Sequence, residues 1–384
     1  SFRYTISDGA SGILSTEPVH IAVGALAVDD NDETTAGVTL TRDASEGVLS
    51  NDLGTDIAVV DFSAAAADKG TLTIATDGSY EFVPAAGFSG TVTAAYSIED
   101  ADEQQGEATL TITVTPVAND DSASTLAGEP YTLTQGVLTN DDLGSELEVT
   151  AVTQGANGGV ELNDDGSVTY TPSDGFSGSD QFTYTVTDRE GQTTTATVRV
   201  TVLPNPDEDV ASTPANATVS RDAEGGVLSN DRGSDLTVVS HDTVDSAMGE
   251  LTLNPDGSFT FVPATGISGR VEVDYTVEDA EGGQGTSTLT LWVRPVGSDD
   301  GATTASGNPV TLTAADLLTN DVGTDLVVTT VATGTNGVPT LNGDGTVTFV
   351  PTEGFSGTAT FTYAAEDAEG QTYSATVTVT VTPI

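Results

Sequence analysis

Apolar and polar residues alternate with a period of two over long stretches of this chain. Phe182, Tyr184 and Val186 fall on one face of a segment, and Ala196, Val198, Val200 and Val202 on one face of the next, with Thr and Arg between them. The same pattern returns as Phe361, Tyr363 and Ala365, then Ala375, Val377, Val379 and Val381. Such alternation predicts antiparallel strands with one buried and one solvated face. No window carries a sustained helical stripe. From the best-marked stretch the predicted order is a strand from Asp121, one around Tyr131 to Thr134, then Leu147 to Thr153, Val160 to Leu162, Val168 to Thr171, Gln181 to Val186 and Thr195 to Val202. The Asp-Gly segments between them read as hairpin turns.

The stretch is written four times. VLSND (48–52), VLTND (137–141), VLSND (227–231) and LLTND (317–321) are each followed by an Asp-Gly turn, a GFSG or GISG corner and a Tyr segment ending in acid. The acids Asp8, Asp100, Asp188, Asp279 and Asp367 are 92, 88, 91 and 88 residues apart. A fixed period near this length marks an array of like domains. About seven short strands per period predict an Ig-like sandwich. RDASEGVLSND and RDAEGGVLSND pair the first and third copies, and YTLTQGVLTND and VTLTAADLLTND the second and fourth, so the underlying unit is an A-B pair. The expected fold is all-β, a tandem array of four Ig-like, cadherin-like, seven-stranded sandwiches set end to end. Their expected bounds are 24–116, 117–204, 205–296 and 297–384. Residues 1–23 match only the last two strands of a repeat. Two strands alone are marginal in water, so the chain is expected to begin inside a domain of a longer polypeptide.

Composition sharpens this picture. There are 59 acidic residues against 9 basic ones, a formal charge of -50, and Lys69 is the single lysine. That balance repels nucleic acid and anionic membranes and makes cations the natural complement. The chain has no Cys, so packing, aided by hard metal ions, must stabilise it without disulfides. No apolar run reaches the ~18 residues of a membrane span, and the first residues lack a signal-peptide pattern.

Following the strands up and down places the acid-rich loops at one pole of each sandwich, where the preceding linker also arrives. Asp120, Asp121, Asp141, Asp142, Asp165, Asp188 and Glu190 converge there in the second repeat. Asp in a turn is commonly structural, but uncompensated carboxylates within ~4 Å repel by about 1 kcal/mol in bulk water and by more near a protein surface. A divalent cation would relieve that repulsion. Calcium suits an oxygen-only donor set, magnesium suits it less, and zinc is disfavoured because His20 and His241 are the only histidines and lie far apart.

These motifs carry a resemblance over nearly the whole chain. The order VLSND, DGS, GFSG, Tyr-x-x-x-Asp, then a Thr/Val strand running into Pro and Asp-Asp, resembles the cadherin-like, VCBS-type tandem repeats of giant bacterial RTX adhesins. The resemblance implies an extender: a stalk stiffened by calcium at its linkers, secreted to the bacterial surface, holding a binding tip away from the cell in adhesion or biofilm formation. It implies metal ligation by the linker acids Asp29 and Asp30, Asp120 and Asp121, Asp207 and Asp209, and Asp299 and Asp300. It implies the same for the last interstrand loop, at Asp100 and Asp102, Asp188 and Glu190, Asp279 and Glu281, and Asp367 and Glu369. DREG at 188–191 looks like the cadherin calcium signature. Many relatives continue Asn-Asp into an Asp-x-Asp-Gly-Asp run, whereas here the loops are NDLGTD, NDDLGSE, NDRGSD and NDVGTD, which favours the linker as the site. A strand of ~11 residues spans roughly 37 Å, so four sandwiches in line would reach about 150 Å.

Other chemistry is weaker. Tyr96, Tyr184, Tyr275 and Tyr363 read as inward core aromatics before they read as a sugar-stacking ladder. GFSG and GISG read as tight corners, since no helix follows to supply amide donors for a phosphate. Trp292 should point outward, covered by the following linker or Pro295. Four copies of a small sandwich offer no deep cleft for a pair of catalytic carboxylates, so no enzyme is expected. Partners are then neighbouring repeats of the same polypeptide. Two alternatives stand beside the stalk: a self-assembling surface filament or layer, in which the chain meets copies of itself, and a carbohydrate-binding module taking a polysaccharide.

Overall fold

A computed structural model describes residues 2–7, 13–19, 23–133, 136–141 and 144–384. Asp8, His20 and Asp142 lie outside the described residues. The third repeat shows the plan. Its first strand, Asp209–Pro214, pairs in parallel with the last, Gln284–Arg294, which pairs antiparallel with Gly269–Glu278, which in turn pairs with Thr237–His241. The second sheet is built on Phe259–Pro263, flanked by Val219–Arg221 and Gly249–Leu253. All four repeats have this four-plus-three strand arrangement. The predicted strands are present, within a few residues of their expected ends, as Asp121–Leu126, Tyr131–Leu133, Glu148–Val152, Gly158–Leu162, Val168–Pro172, Gly178–Thr187 and Thr193–Leu203. Phe2–Ser7 and Ile13–Val19 form a separate antiparallel pair.

By contacts the chain forms two compact units, and the division passes through the second repeat. The first is Ser1–Ala123, Pro130–Thr171 and Asp180–Val200; the second is Ser124–Glu129, Pro172–Ser179 and Thr201–Ile384. The first unit contains the first repeat and the acidic pole of the second. The second unit contains the opposite pole of the second repeat and all of the third and fourth.

Alternation builds the cores. In the first unit Val92, Ala94, Tyr96 and Ile98 are buried with Leu110, Ile112, Val114 and Phe82. In the second unit Val273, Tyr275 and Val277 meet Leu289, Leu291, Val293 and Phe261, and Phe361 lies against Phe349 with ring centroids 5.6 Å apart. Each fully buried aromatic or aliphatic side chain contributes about 1.5–3 kcal/mol. Trp292 is half-buried, with the guanidinium of Arg270, opposite it on the neighbouring strand, 5.9 Å from the ring.

Helix enters where the alternation gave no sign of it. Ala314–Leu318 forms one short helix, and Gly136–Leu138 a 3-10 turn, in the segments leading to Asn-Asp. Thr313 caps the helix reciprocally with Asp316, and Leu317 anchors it in the core. A helix this short has no stability of its own; the cap and the buried leucine hold it.

The Asp-Gly turns are self-contained. Asp77 Oδ1 accepts from the amide and hydroxyl of Ser79, and Gly78 has φ +82°. Asp165, Asp256 and Asp344 do the same with Ser167, Ser258 and Thr346, and these bonds hold all four carboxyls below their usual range. Asp165 is therefore a turn residue. Replacing Phe361 by Ala is expected to destabilise the fourth repeat by about 3–5 kcal/mol, read as a fall in the denaturant midpoint of that repeat; a loss below 1 kcal/mol would mean that this ring is not part of a close-packed core.

Candidate functional site

Each repeat gathers its linker, its Asn-Asp loop and its core around one tyrosine. The alternation that buries Tyr96 carries its hydroxyl to the acidic pole. There its oxygen lies 2.8 Å from Asp30 Oδ2 and 3.1 Å from the carbonyl oxygens of both Val28 and Val48, with Asp52 at 3.3 Å. Tyr184 meets the carbonyls of Asn119 and Val137 and Asp141 Oδ2. Tyr275 meets Asp209 Oδ2 at 2.7 Å, and Tyr363 meets Asp300 Oδ2, Asp321 Oδ2 and the Leu317 carbonyl.

The Asn-Asp loop grips the linker directly. Asp52 Oδ1 accepts from the Val28 amide at 2.7 Å, Asp141 from Asn119 at 2.6 Å, Asp231 from Asp207 at 3.0 Å and Asp321 from Ser298 at 2.6 Å. The neighbouring Asn51, Asn140, Asn230 and Asn320 donate to the carbonyls of Asp29, Asp120, Glu208 and Asp299. This register places Glu208, not Asp207, at the first linker-acid position of the third repeat. Asp29, Asp120 and Asp299 turn away from the cluster and accept amides of the last strand, from Thr109, Thr197 and Thr376.

The acids of the last interstrand loop divide into two roles. Asp100 Oδ1 accepts the amides of Asp102 and Gln104. Asp188, Asp279 and Asp367 close the same turn through the amides of Glu190 and Gln192, Glu281 and Gly283, and Glu369 and Gln371. The second acid reaches the preceding repeat. Glu190 Oε2 accepts the Thr91 amide at 2.6 Å with Lys69 Nζ 3.6 Å from its partner oxygen, and Glu281 Oε2 accepts the Ser179 amide at 2.6 Å. At the third junction the reach is made by Gln371, whose side-chain amide donates to the Val293 carbonyl. Among the described residues no hydrogen bond carries Asp102 to a preceding repeat.

Beside each of these contacts lies a reciprocal pair that the sequence reading passed over. The amide of Ser89 donates to Ser145 Oγ at 3.1 Å, and the amide of Ser145 donates to Ser89 Oγ at 3.0 Å. Ser177 with Ser234 and Ser268 with Thr324 repeat the exchange at 2.9–3.1 Å. The three corner serines are 2%, 5% and 5% exposed. The first junction lies wholly in the first unit, and the other two in the second. The signal was the third position of GFSG or GISG and the Ser or Thr after the Gly that follows Asn-Asp by one residue, or by two in the second copy, both of which recur in every copy.

Burial dominates the electrostatics of the pole. It pushes the carboxyls of Asp30 and Asp209 up to about 6 against the opposing hydrogen bonds of Tyr96 and Tyr275, and that of Asp231 up to about 7, helped by the charges of Asp209 and Asp207. Asp52, Asp121 and Asp300 are raised as well, chiefly by burial. One tyrosine proton cannot serve a carboxylate and two carbonyls together, so these acceptors share a single donor. Glu190 behaves oppositely: burial opposes its charge, but the Thr91 amide and Lys69 outweigh it and hold it low.

The donor set was tested for calcium on these contacts. Most of these oxygens are engaged singly with amides and hydroxyls, and among the described residues no three His, Cys, Asp or Glu side chains gather as a metal-binding group. They do not fit a shared multi-ion cage. Four buried carboxylate oxygens, Asp121 Oδ2, Asp188 Oδ2, Asp231 Oδ2 and Asp279 Oδ2, have no hydrogen-bond partner.

Fold and poles define a tandem array of Ig-like domains. The chain belongs to the bacterial Ig domain family, whose profile matches residues 17–113, 114–201, 204–292 and 293–380. Domains of this family are typically structural and extracellular or surface-borne, and no enzymatic family is identified. No curated protein matches. Solved structures similar to the chain include the human Desmocollin-1 ectodomain (12% identity, covering 94% of this chain and 79% of that one, TM-score 0.21) and Drosophila N-cadherin EC1-4 (12%, 92% and 98%, 0.21). A glycoside hydrolase family 107 endo-fucoidan hydrolase is also similar (16%, 68% and 43%, 0.20). At these TM-scores the likeness carries no argument about this chain. Among the described residues no helix is long and apolar enough to cross a membrane.

Two outcomes are expected at the pole. The folded pKa values of Asp30, Asp209 and Asp231 lie above the unfolded value of 3.8, so the native state binds protons more tightly. The stabilisation they give is full at pH below about 4 and is lost as pH rises through about 6 to 7. Thermal melts from pH 5 to 8 should show that fall, and Asp231→Asn, which keeps an acceptor for the Asp207 amide, should reduce it. Tyr275→Phe removes a buried hydroxyl and is expected to cost the third repeat about 1–3 kcal/mol, measured by urea unfolding.

Proposed function

We propose that the chain is a structural spacer, an extender segment of a large secreted bacterial cell-surface adhesin, whose four repeats at 24–116, 117–204, 205–296 and 297–384 hold an adhesive tip away from the cell. The observation that carries this reading is the repetition of one junction: at three successive boundaries the GFSG or GISG corner of one repeat meets the Gly-Ser or Gly-Thr that follows Asn-Asp in the next, with the same reciprocal bonds. A binding or catalytic module has no need to reproduce its boundary with a neighbour. A spacer does, because its reach depends on every joint. The acidic surface supports the same reading, since a charge of -50 keeps neighbouring copies apart.

Calcium stiffening of the linkers is a second form of this reading. In its favour stand four buried carboxylate oxygens without hydrogen-bond partners: those of Asp188 and Asp279, each two residues before a glutamate that crosses to the preceding repeat, and those of the linker acid Asp121 and the loop acid Asp231. Against it stands the engagement of the linker acids with their own repeat.

The spacer reading is tested by displaying a binding tip on bacteria above two, four or six of these repeats. Adhesion to an immobilised ligand beneath a polymer brush should rise with repeat number, and adhesion independent of that number would remove the reading. Calcium is tested by calorimetric titration of the purified chain, where Asp188→Ala and Asp279→Ala should each abolish part of the heat if calcium binds there.

A further inference from the structure

We infer that the junctions between repeats are locked by a direct, metal-independent clasp, and that the glutamate of the Asp-x-Glu motif, assigned by resemblance to a cation, acts here as a hydrogen-bond acceptor for the preceding repeat. This rests on the spacer reading for its purpose but not for its chemistry. At the junction of the second and third repeats the Ser177 amide donates to Ser234 Oγ, the Ser234 amide donates to Ser177 Oγ, and the Ser234 hydroxyl lies 3.2 Å from the Gly175 carbonyl. The Ser179 amide donates to Glu281 Oε2, and Arg232 lies 3.7 Å from Glu129. The Ser177 and Ser179 amides of the corner are thereby met directly by oxygens of the next repeat.

The corner is shaped for this. Gly90 and Gly178 have φ +123°, and a Cβ at either would stand 2.9 or 3.0 Å from the carboxyl carbon of Glu190 or Glu281. Glycine is needed there twice over, for its backbone conformation and for the approach of the glutamate. Ser89, Ser177 and Ser268 are buried where a following loop meets them. A carboxylate accepting a backbone amide also needs no partner charge, so the clasp works in a chain with almost no lysine.

A glutamine separates the two chemistries, because it keeps an acceptor oxygen while removing the charge that a cation requires. The chain has no native Cys, so spin labels at Ser124→Cys and Glu250→Cys, both exposed and both in the second unit, report the distance across this junction in the full chain. A narrow distance distribution is expected, the same in calcium and in chelator. Glu281→Gln should leave it narrow in both. Ser177→Ala combined with Glu281→Ala should lose the narrow peak in both, with each repeat still folded by circular dichroism and its own melting transition. A distribution narrow only in calcium, or one broadened by Glu281→Gln as much as by Glu281→Ala, would overturn the clasp, as would a double alanine variant that stays narrow. The display experiment reads surface reach independently, so a failed clasp leaves the spacer reading to stand or fall by its own result.

Discussion

The buried hydroxyl of one tyrosine per repeat sets the rest of the structure. Its ring belongs to the core, so its oxygen must be satisfied at whichever end the strand delivers it. In this chain that end is where the linker enters. Tyr96, Tyr184, Tyr275 and Tyr363 thus bring together a linker carbonyl or carboxylate and the carbonyl before Asn-Asp, and all but Tyr275 also reach the aspartate of that loop. Core packing, linker direction and loop shape are thereby fixed by one group, and the position of the linker in turn fixes where the next repeat meets the previous one. Burial of the carboxyls around that hydroxyl raises their pKa values against the opposing hydrogen bonds of the tyrosines.

Strand order and repeat number were legible because they depend on local alternation and on turn residues whose reason is visible in the sequence. Asp77-Gly78-Ser79 is an example: the aspartate, the left-handed glycine and the serine act on each other within three residues. The short helix at 314–318 was hidden because it is too brief to leave a stripe and depends on one cap and one leucine. The pole was legible in part. That acids meet the linker end followed from the up-and-down path of the strands. That they would be engaged one by one with amides did not, because which oxygen faces which amide depends on register between segments some eighty residues apart, as with Asp29 and Thr109. In the third repeat the same register placed Glu208 where counting from Asp-x-Asp pointed to Asp207.

The glutamates show why a motif is a weak guide to its ligand. Glu190 and Glu281 stand where the resemblance leads one to expect metal ligands, and a carboxylate at that place can serve either a cation or a backbone amide. The neighbours decide. Across the junction they face a glycine corner whose amides are free, not a second set of acids, and the serine beside each corner supplies the reciprocal bond. A change of a few residues on the preceding repeat is enough to turn one kind of joint into another without altering either sandwich.

The parallel pairing of first and last strands has a mechanical meaning. In the third repeat Asp209 to Pro214 lies beside Leu289 to Arg294, and the first and fourth repeats pair six residues in the same way. The chain enters through the start of one of these strands and leaves through the end of the other. Tension on the polypeptide therefore pulls them lengthwise past each other, loading all the rungs of the ladder at once instead of peeling them apart in succession. Each sandwich is oriented to resist drag along its own backbone, whatever holds one sandwich to the next.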